Sequence, residues 1–253
     1  MLCWDDGTKG IHMKRFLFTL ALAASLASAS AQMGGPPTGI NAALIKLFGD
    51  TKAFSAKAEA RMLDKEQKEL SSIPMNMAMR DGKLRSEMNL SDVKGNGIPA
   101  EAGAMMKQAG MDKMVSVARP DKKTTVISYP GLKSYAEVPF TESEAAGGKF
   151  EITEVGKDMI DGHPCVKKKL TTTDSKGRPQ EAFIWQATDL KNFPVQMEMA
   201  QRSNKLIVKF QSPTLETPDA ALFETPADYT KYDSVQALMQ AAMMKMFSGA
   251  GGK

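Results

Sequence analysis

An alternation of period two constrains this chain more than any other feature. Ala56, Ala58, Ala60 and Met62 are interleaved with Lys57, Glu59 and Arg61, so the segment from Phe54 has one small apolar face and one charged face. Ile73, Met75, Met77 and Met79 repeat the pattern, and Asp81-Gly82 predicts a tight hairpin into Leu84, Ser86, Met88 and Leu90. Further short runs at Lys113–Ala118, Thr124–Tyr129, Lys133–Val138, Phe150–Val155, Cys165–Thr172, Ala182–Ala187, Val195–Ala200 and Lys205–Gln211 are divided by Pro, Gly, Asn and Asp turns. About ten half-buried strands in series, with no internal repeat, predict an antiparallel meander wrapped around a helix or partly closed as a barrel.

Three segments break that period. Thr38 caps an expected amphipathic helix over 40–48, with Ile40, Leu44, Ile45 and Phe48 on one side. Pro99 stands at the first turn of a short helix expected over Ala102–Ala109. Asp233-Ser234 caps a third over 235–247, whose apolar face carries Val235, Leu238, Met239, Ala242, Met243, Met246 and Phe247. Lys245 is the one strong charge on that helix, which argues against a membrane-surface segment and favours a lid over the sheet.

The N-terminus has the form of an export signal. Lys14 and Arg15 precede an apolar run from Phe16 to Ala27, and Ala29-Ser30-Ala31 supplies small residues for cleavage. That run is too short for the ~20 residues of a membrane span. The expected organisation is an extension over 1–12, a signal peptide over 13–31 and a leader over 32–39. A single β domain with terminal helices follows over 40–247, then a tail over 248–253. Cys165 is the only cysteine beyond the signal, so an intramolecular disulfide is excluded. The mature N-terminus is expected at Gln32, without a lipobox cysteine, which predicts a soluble periplasmic protein. No other stretch approaches transmembrane length.

The formal charge of +4 is too mild, and its Lys and Arg too scattered, for a nucleic-acid partner. Only His163 remains beyond the signal, which excludes a multi-histidine metal centre. With Cys165 two residues on and Pro164 between them, the simpler reading is a turn at Asp161-Gly162, a packing histidine and a core thiol. Gly95-Asn96-Gly97 lacks the context of a phosphate loop, and Glu142 and Glu144 read as solvated carboxylates. No catalytic residue and no cofactor is expected, so the chain reads as a non-enzyme.

A series of short motifs resembles a family of exported bacterial proteins, the domain of unknown function 4412. They are Val117–Lys123 (VARPDKK), Tyr129–Tyr135 (YPGLKSY), Val155-Gly156 leading to Ile160–Cys165 (IDGHPC), Trp185–Leu190 (WQATDL) with Phe193-Pro194-Val195, and Leu222–Tyr229 (LFETPADY). The order is more distantly similar to the LolA/LolB lipoprotein-carrier superfamily, over roughly residues 50–240. The resemblance implies an incomplete antiparallel β-barrel, a half-barrel, covered by helices that enclose acyl chains. It implies no catalytic residues.

On that footing the expected function is non-catalytic binding of a lipid or acylated ligand between sheet and helices. The candidate lining is Met75, Met77, Met79, Leu84, Met88 and Leu90 from the strands, Phe183 and Trp185 from a later strand, and Met239 and Met243 from the C-terminal helix. Phe183 and Trp185 share a face that is either the cavity or an outer core. Two alternatives stay open. A filled core would make the chain a structural protein that docks a cell-envelope partner at an exposed strand edge. The 19 methionines also allow Cu(I) at Met75, Met77 and Met79, since thioethers are soft ligands.

Overall fold

A computed structural model describes residues 45, 48, 51–95, 99–140, 151–173, 179–201 and 204–250. The chain divides into two compact units, Met1–Pro37 and Thr38–Lys253, and every described residue belongs to the second. Leader, signal segment, residues 251–253 and most of the expected 40–48 helix lie outside the described residues, whereas residues 248–250 of the expected tail continue the C-terminal helix. Of that helix, Ile45 is helical and Phe48 is buried.

The strands are β1 (Ala53–Leu63), β2 (Glu69–Arg80), β3 (Lys83–Asn89), β4 (Lys94–Gly95), β5 (Lys113–Arg119), β6 (Thr124–Tyr129) and β7 (Ser134–Pro139). After them come β8 (Glu151–Ile160), β9 (His163–Thr173), β10 (Pro179–Ala187), β11 (Phe193–Gln201), β12 (Asn204–Thr214) and β13 (Thr230–Tyr232). Helix α1 (Ala100–Gln108) sits between β4 and β5, and α2 (Val235–Ala250) follows β13. All the strands join one sheet in the order β13-β7-β6-β5-β3-β2-β1-β12-β11-β10-β9-β8, with β4 on β2. Pairing is antiparallel except for β13 against β7. The sheet is open, with β13 and β8 at its edges, and is not a closed barrel.

Local chemistry accounts for the topology. Asp81-Gly82 and Asp161-Gly162 both take positive φ at the two turn positions, the conformation that matches strand twist in a two-residue hairpin. The two meanders, β2 to β7 and β8 to β12, meet where β1 pairs with β12. Ser234 Oγ accepts from the Ala237 N–H at 3.0 Å and caps α2 as its sequence predicts.

Register defines two faces. One row runs Met114, Met88, Met75, Ala58 and Phe210 across five strands, and the neighbouring row runs Ile127, Ser116, Ser86, Met77 and Ala56. These rows form the inner face, which carries Phe48 and α2. The opposite rows carry charge over most of their length, except where Ala78, Val115, Val117 and Val126 bury Phe223. Phe223 belongs to a strap after β12 that the alternation does not announce. Arg119 donates from its guanidinium to the Phe223 carbonyl at 2.7 Å, Arg80 to the Pro218 carbonyl at 2.8 Å, and Lys83 pairs with Glu224 at 2.9 Å.

Candidate functional site

The inner face is apolar in two different ways. Around β1, β11 and β12 it is aromatic. The Phe48 and Phe54 rings lie 4.4 Å apart, Phe54 and Phe193 5.1 Å, and Phe193 and Phe210 5.7 Å. Tilted and edge-on rings at such spacings interlock, and Phe48, Phe54 and Phe193 are fully buried. Met77 and Met79 belong here, opposite Ala56 and Phe54, with Leu84 beside them.

Around β3, β5 and β6 the surface is thioether. Met88, Met111 and Met114 are buried with Ile127, Tyr129, Leu238 and Ala242, and Met75, Met106, Met239 and Leu90 are half-buried around them. Three adjacent strands contribute Met75, Met88 and Met114 to a single row, and Met75 touches both halves of the core. Burial pushes the Tyr129 phenol up from its ordinary value. Between the two halves Ser86 Oγ and Ser116 Oγ bond each other at 2.7 Å, a satisfied polar step in the apolar floor.

Helix α2 covers the methionine half and is anchored narrowly. Leu238 is 1% exposed and Ala242 4%, while Val235 and Met239 are half-buried and Met243 and Met244 face solvent. The result is a methionine-lined seam under a helix whose described side chains include one fully buried leucine; the side chains of Met246 and Phe247 lie outside the described residues.

The sequence-derived candidates therefore separate. Met75, Met88, Leu90 and Met239 meet in the seam, with Leu90 on a short 3-10 turn (Leu90–Asp92) and not on a strand. Met77, Met79 and Leu84 lie on the same face but inside the packed half. Met77 and Met79 are 4% and 3% exposed, so two of the three thioethers lack the solvent access a Cu(I) site would need. Met243 is 41% exposed and lines nothing buried.

Trp185 stands in register with Gln196, Lys209 and Glu59 of the outer face, next to a bulge. Yet it is 4% exposed and belongs with Phe183 to the buried core that includes Phe48 and Phe54, not to the methionine seam. Its indole N–H donates to Asp158 Oδ2 at 3.0 Å, and Lys167 Nζ stands 4.6 Å from the ring centroid. The Trp185 bond, with the Met159 N–H, holds the Asp158 carboxyl below its usual range. Met111, Met114 and Met106 are the seam residues that the candidate set omits. Pairing Met114 with Met88 across β3 and β5 would have found one of them.

His163 and Cys165 make local contacts around the β8–β9 turn. His163 Nδ1 meets Asp189 Oδ2 at 2.8 Å and ties the β8–β9 turn to the segment after β10. Burial pushes the Cys165 thiol up, and its S–H bonds the His163 carbonyl at 3.3 Å, the environment of an unreactive thiol. Two surface concavities stand out among the described residues. One, of about 540 Å³, is bordered by Lys57, Glu59, Asn76, Glu87 and Lys113 and is also lined by Ala58, Met75 and Met88; the other, of about 620 Å³, is bordered by Lys157, Asp158, Met159 and Cys165 beside β8. Among the described residues no three His, Cys, Asp or Glu side chains group as metal ligands, and no helix is long and apolar enough to cross a membrane.

Fold and seam together define an open antiparallel sheet with a helix laid over an adaptable apolar floor. No family model matches the chain, and no curated protein matches it. Solved structures similar to it include a LolA superfamily protein from Nitrosomonas europaea, at 9% identity and TM-score 0.34 over 73% of this chain and 96% of that one. The Mycobacterium tuberculosis lipoprotein LppX aligns at 14% identity and TM-score 0.37, over 68% of this chain and 91% of its own. The Pseudomonas aeruginosa MucA/MucB complex aligns at 13% identity and TM-score 0.39, over 76% of this chain and 62% of that chain.

Proposed function

We propose that the chain is an exported, non-catalytic binding protein that holds an acyl chain in the methionine seam beneath α2. The observation that carries this reading is the convergence of Met75, Met88, Met106, Met111, Met114 and Met239 under a helix with, among its described side chains, a single fully buried large residue. Thioether side chains are unbranched and polarizable, so they repack around guests of varied shape at low strain. In this reading a guest enters as Leu238 leaves, because Leu238 is the side chain of the helix that packs among the seam methionines. Exposing a buried leucine costs ~1.5–3 kcal/mol, and each buried methylene of a guest returns ~0.8 kcal/mol. About four methylenes offset the helix anchor, and a longer chain binds with net gain.

In this reading the sheet curls as a half-barrel. The inner core is reached by Phe140, which follows β7 near one end of the sheet, and by Ile160, on the edge strand at the other end. Residues 13–31 direct export to the periplasm, and the working chain is 32–253. A second reading, a cell-envelope docking protein, is supported by the exposed edge strand β8 with its apolar side chains.

Native mass spectrometry of protein purified from a periplasmic extract without detergent, followed by lipid extraction, tests the first reading. The expected result is a bound mass assignable to an acylated molecule. A bare chain that also fails to bind a fluorescent fatty acid added in vitro overturns it.

A further inference from the structure

We infer that β8 is a self-recognition edge, pairing antiparallel with β8 of a second copy. It ends the sheet on one side, so among the described residues one row of its backbone N–H and C=O groups has no strand partner in the monomer. Nearly all of it is exposed, including Ile152 at 55% and Met159 at 61%, which is an unusual display of large apolar side chains for a sheet edge.

The register is specified by a bulge. Opposite β9, Glu154 pairs with Lys168 and Gly156 with Lys167, so Val155 is an extra residue. Ile152, Glu154, Lys157 and Met159 pair with Leu170, Lys168, Val166 and Pro164, alternate residues of one strand, and therefore share a face. In a regular strand Glu154 and Lys157, three apart, would point to opposite faces. The bulge brings them together.

Two copies related by a two-fold axis through the Val155–Gly156 peptide place Glu154 opposite Lys157 of the second copy, twice. The same register puts Ile152 opposite Met159, also twice, on the same face, with Thr153 opposite Asp158 on the other. An antiparallel pair about a two-fold axis requires directly opposed residues to lie on one face, and the bulge alone satisfies this for Glu154 and Lys157. The strand is self-complementary in charge at its centre and in apolarity at its flanks. An unrelated edge strand of another protein would have no reason to match both.

The test is sedimentation equilibrium of the purified full chain with two charge reversals. Wild type is expected to form a reversible dimer. Glu154→Lys creates two lysine–lysine contacts across the axis and Lys157→Glu two glutamate–glutamate contacts, each weakening the dimer by about tenfold or more. An equimolar mixture of the two variants restores every opposite-charge contact, so a heterodimer of wild-type strength is expected on mixing. The doubly reversed E154K/K157E chain recovers the homodimer. The four side chains are exposed, and recovery on mixing shows that both single variants are folded. A wild-type chain that remains monomeric at about 1 mM overturns the inference. So does a dimer indifferent to either reversal, or a mixture that does not reassociate.

Discussion

Replacing Leu238 with alanine separates a removable helix from an integral one. Leu238 is 1% exposed and, among the described side chains of α2, is the one large residue fully buried against the sheet. Buried leucine-to-alanine changes cost 2.7–5.0 kcal/mol in a well-packed core, but the methionines around this site can relax into part of the space. About 2–3 kcal/mol is the expected cost, a shift of roughly 30- to 150-fold in whatever equilibrium the side chain controls. If α2 opens independently, the shift appears in local opening. Native-state hydrogen exchange should then speed up by that factor in peptides spanning Val235–Lys245 and stay unchanged in β1 and β12. The same opening raises the binding-competent fraction, so a fluorescent fatty acid should bind more tightly to L238A, up to the point where the helix is already open. Exchange accelerated equally in β1, β12 and α2 would mean that the helix is part of the global folding unit. Unchanged exchange in the helix would mean that Leu238 anchors nothing. Either result refutes the opening mechanism.

Phe193→Ala should behave in the opposite way. Its ring packs against Phe48, Phe54 and Phe210, so a cost of about 3–5 kcal/mol should appear as a uniform fall in the urea midpoint, with no tighter acyl binding. Arg119→Ala removes the 2.7 Å bond that holds the strap at Phe223, and a loss of about 1.5–3 kcal/mol by chemical denaturation is expected. Glu87 gives a pH signature. Burial pushes its carboxyl up, but bonds from Lys113 and Arg85 outweigh that and leave it below the ordinary 4.5. A carboxyl lowered by folding stabilises above its unfolded value and loses that contribution as pH falls through the folded one. The melting-temperature gap between wild type and Glu87→Gln should therefore hold from pH 7 to about 5 and close below 4.5, whereas a gap constant to pH 3 contradicts the pairing.

Much of the sheet is legible because alternation and turn chemistry are local. Asp81-Gly82 and Asp161-Gly162 fix two hairpins from their own φ preferences, and Ser234 starts α2 where its hydroxyl can cap. What alternation cannot carry is which face of a strand meets the core, once a bulge intervenes or both faces are covered. Trp185 and Phe183 alternate as expected, yet register aligns Trp185 through Gln196 and Lys209 with charged positions on strands far away in sequence, while both side chains still pack against the buried core. Phe223 is hidden in a segment with no period at all, and it buries Ala78, a residue whose position on β2 reads as solvent-facing. The parallel pairing of β13 with β7 joins three residues to a strand with no sequence signal between them. The methionine floor was half visible: Met75 and Met88 follow from the strand pattern, whereas Met111 stands in a loop whose burial depends on α1 and α2.

The two halves of the inner face assign stability and adaptability to different places. Aromatic rings in interlocked geometry have few alternative packings, so displacing Phe54 or Phe193 disrupts several contacts at once and resists any guest. Methionine side chains have three rotatable bonds and many packings of similar energy, so on the proposed reading the region around Met88 and Met114 is where a protein side chain would be exchanged for a ligand. Met75 is the contact between the halves, and it is half-buried where Met77 and Met79 beside it are fully enclosed. A sheet built in this way can open under α2 while β1, β11 and β12 stay closed, because the residues that move are not those that fix the register. Binding by displacement of Leu238 requires that asymmetry: in a uniformly aromatic floor, the helix could leave only when the sheet unfolded.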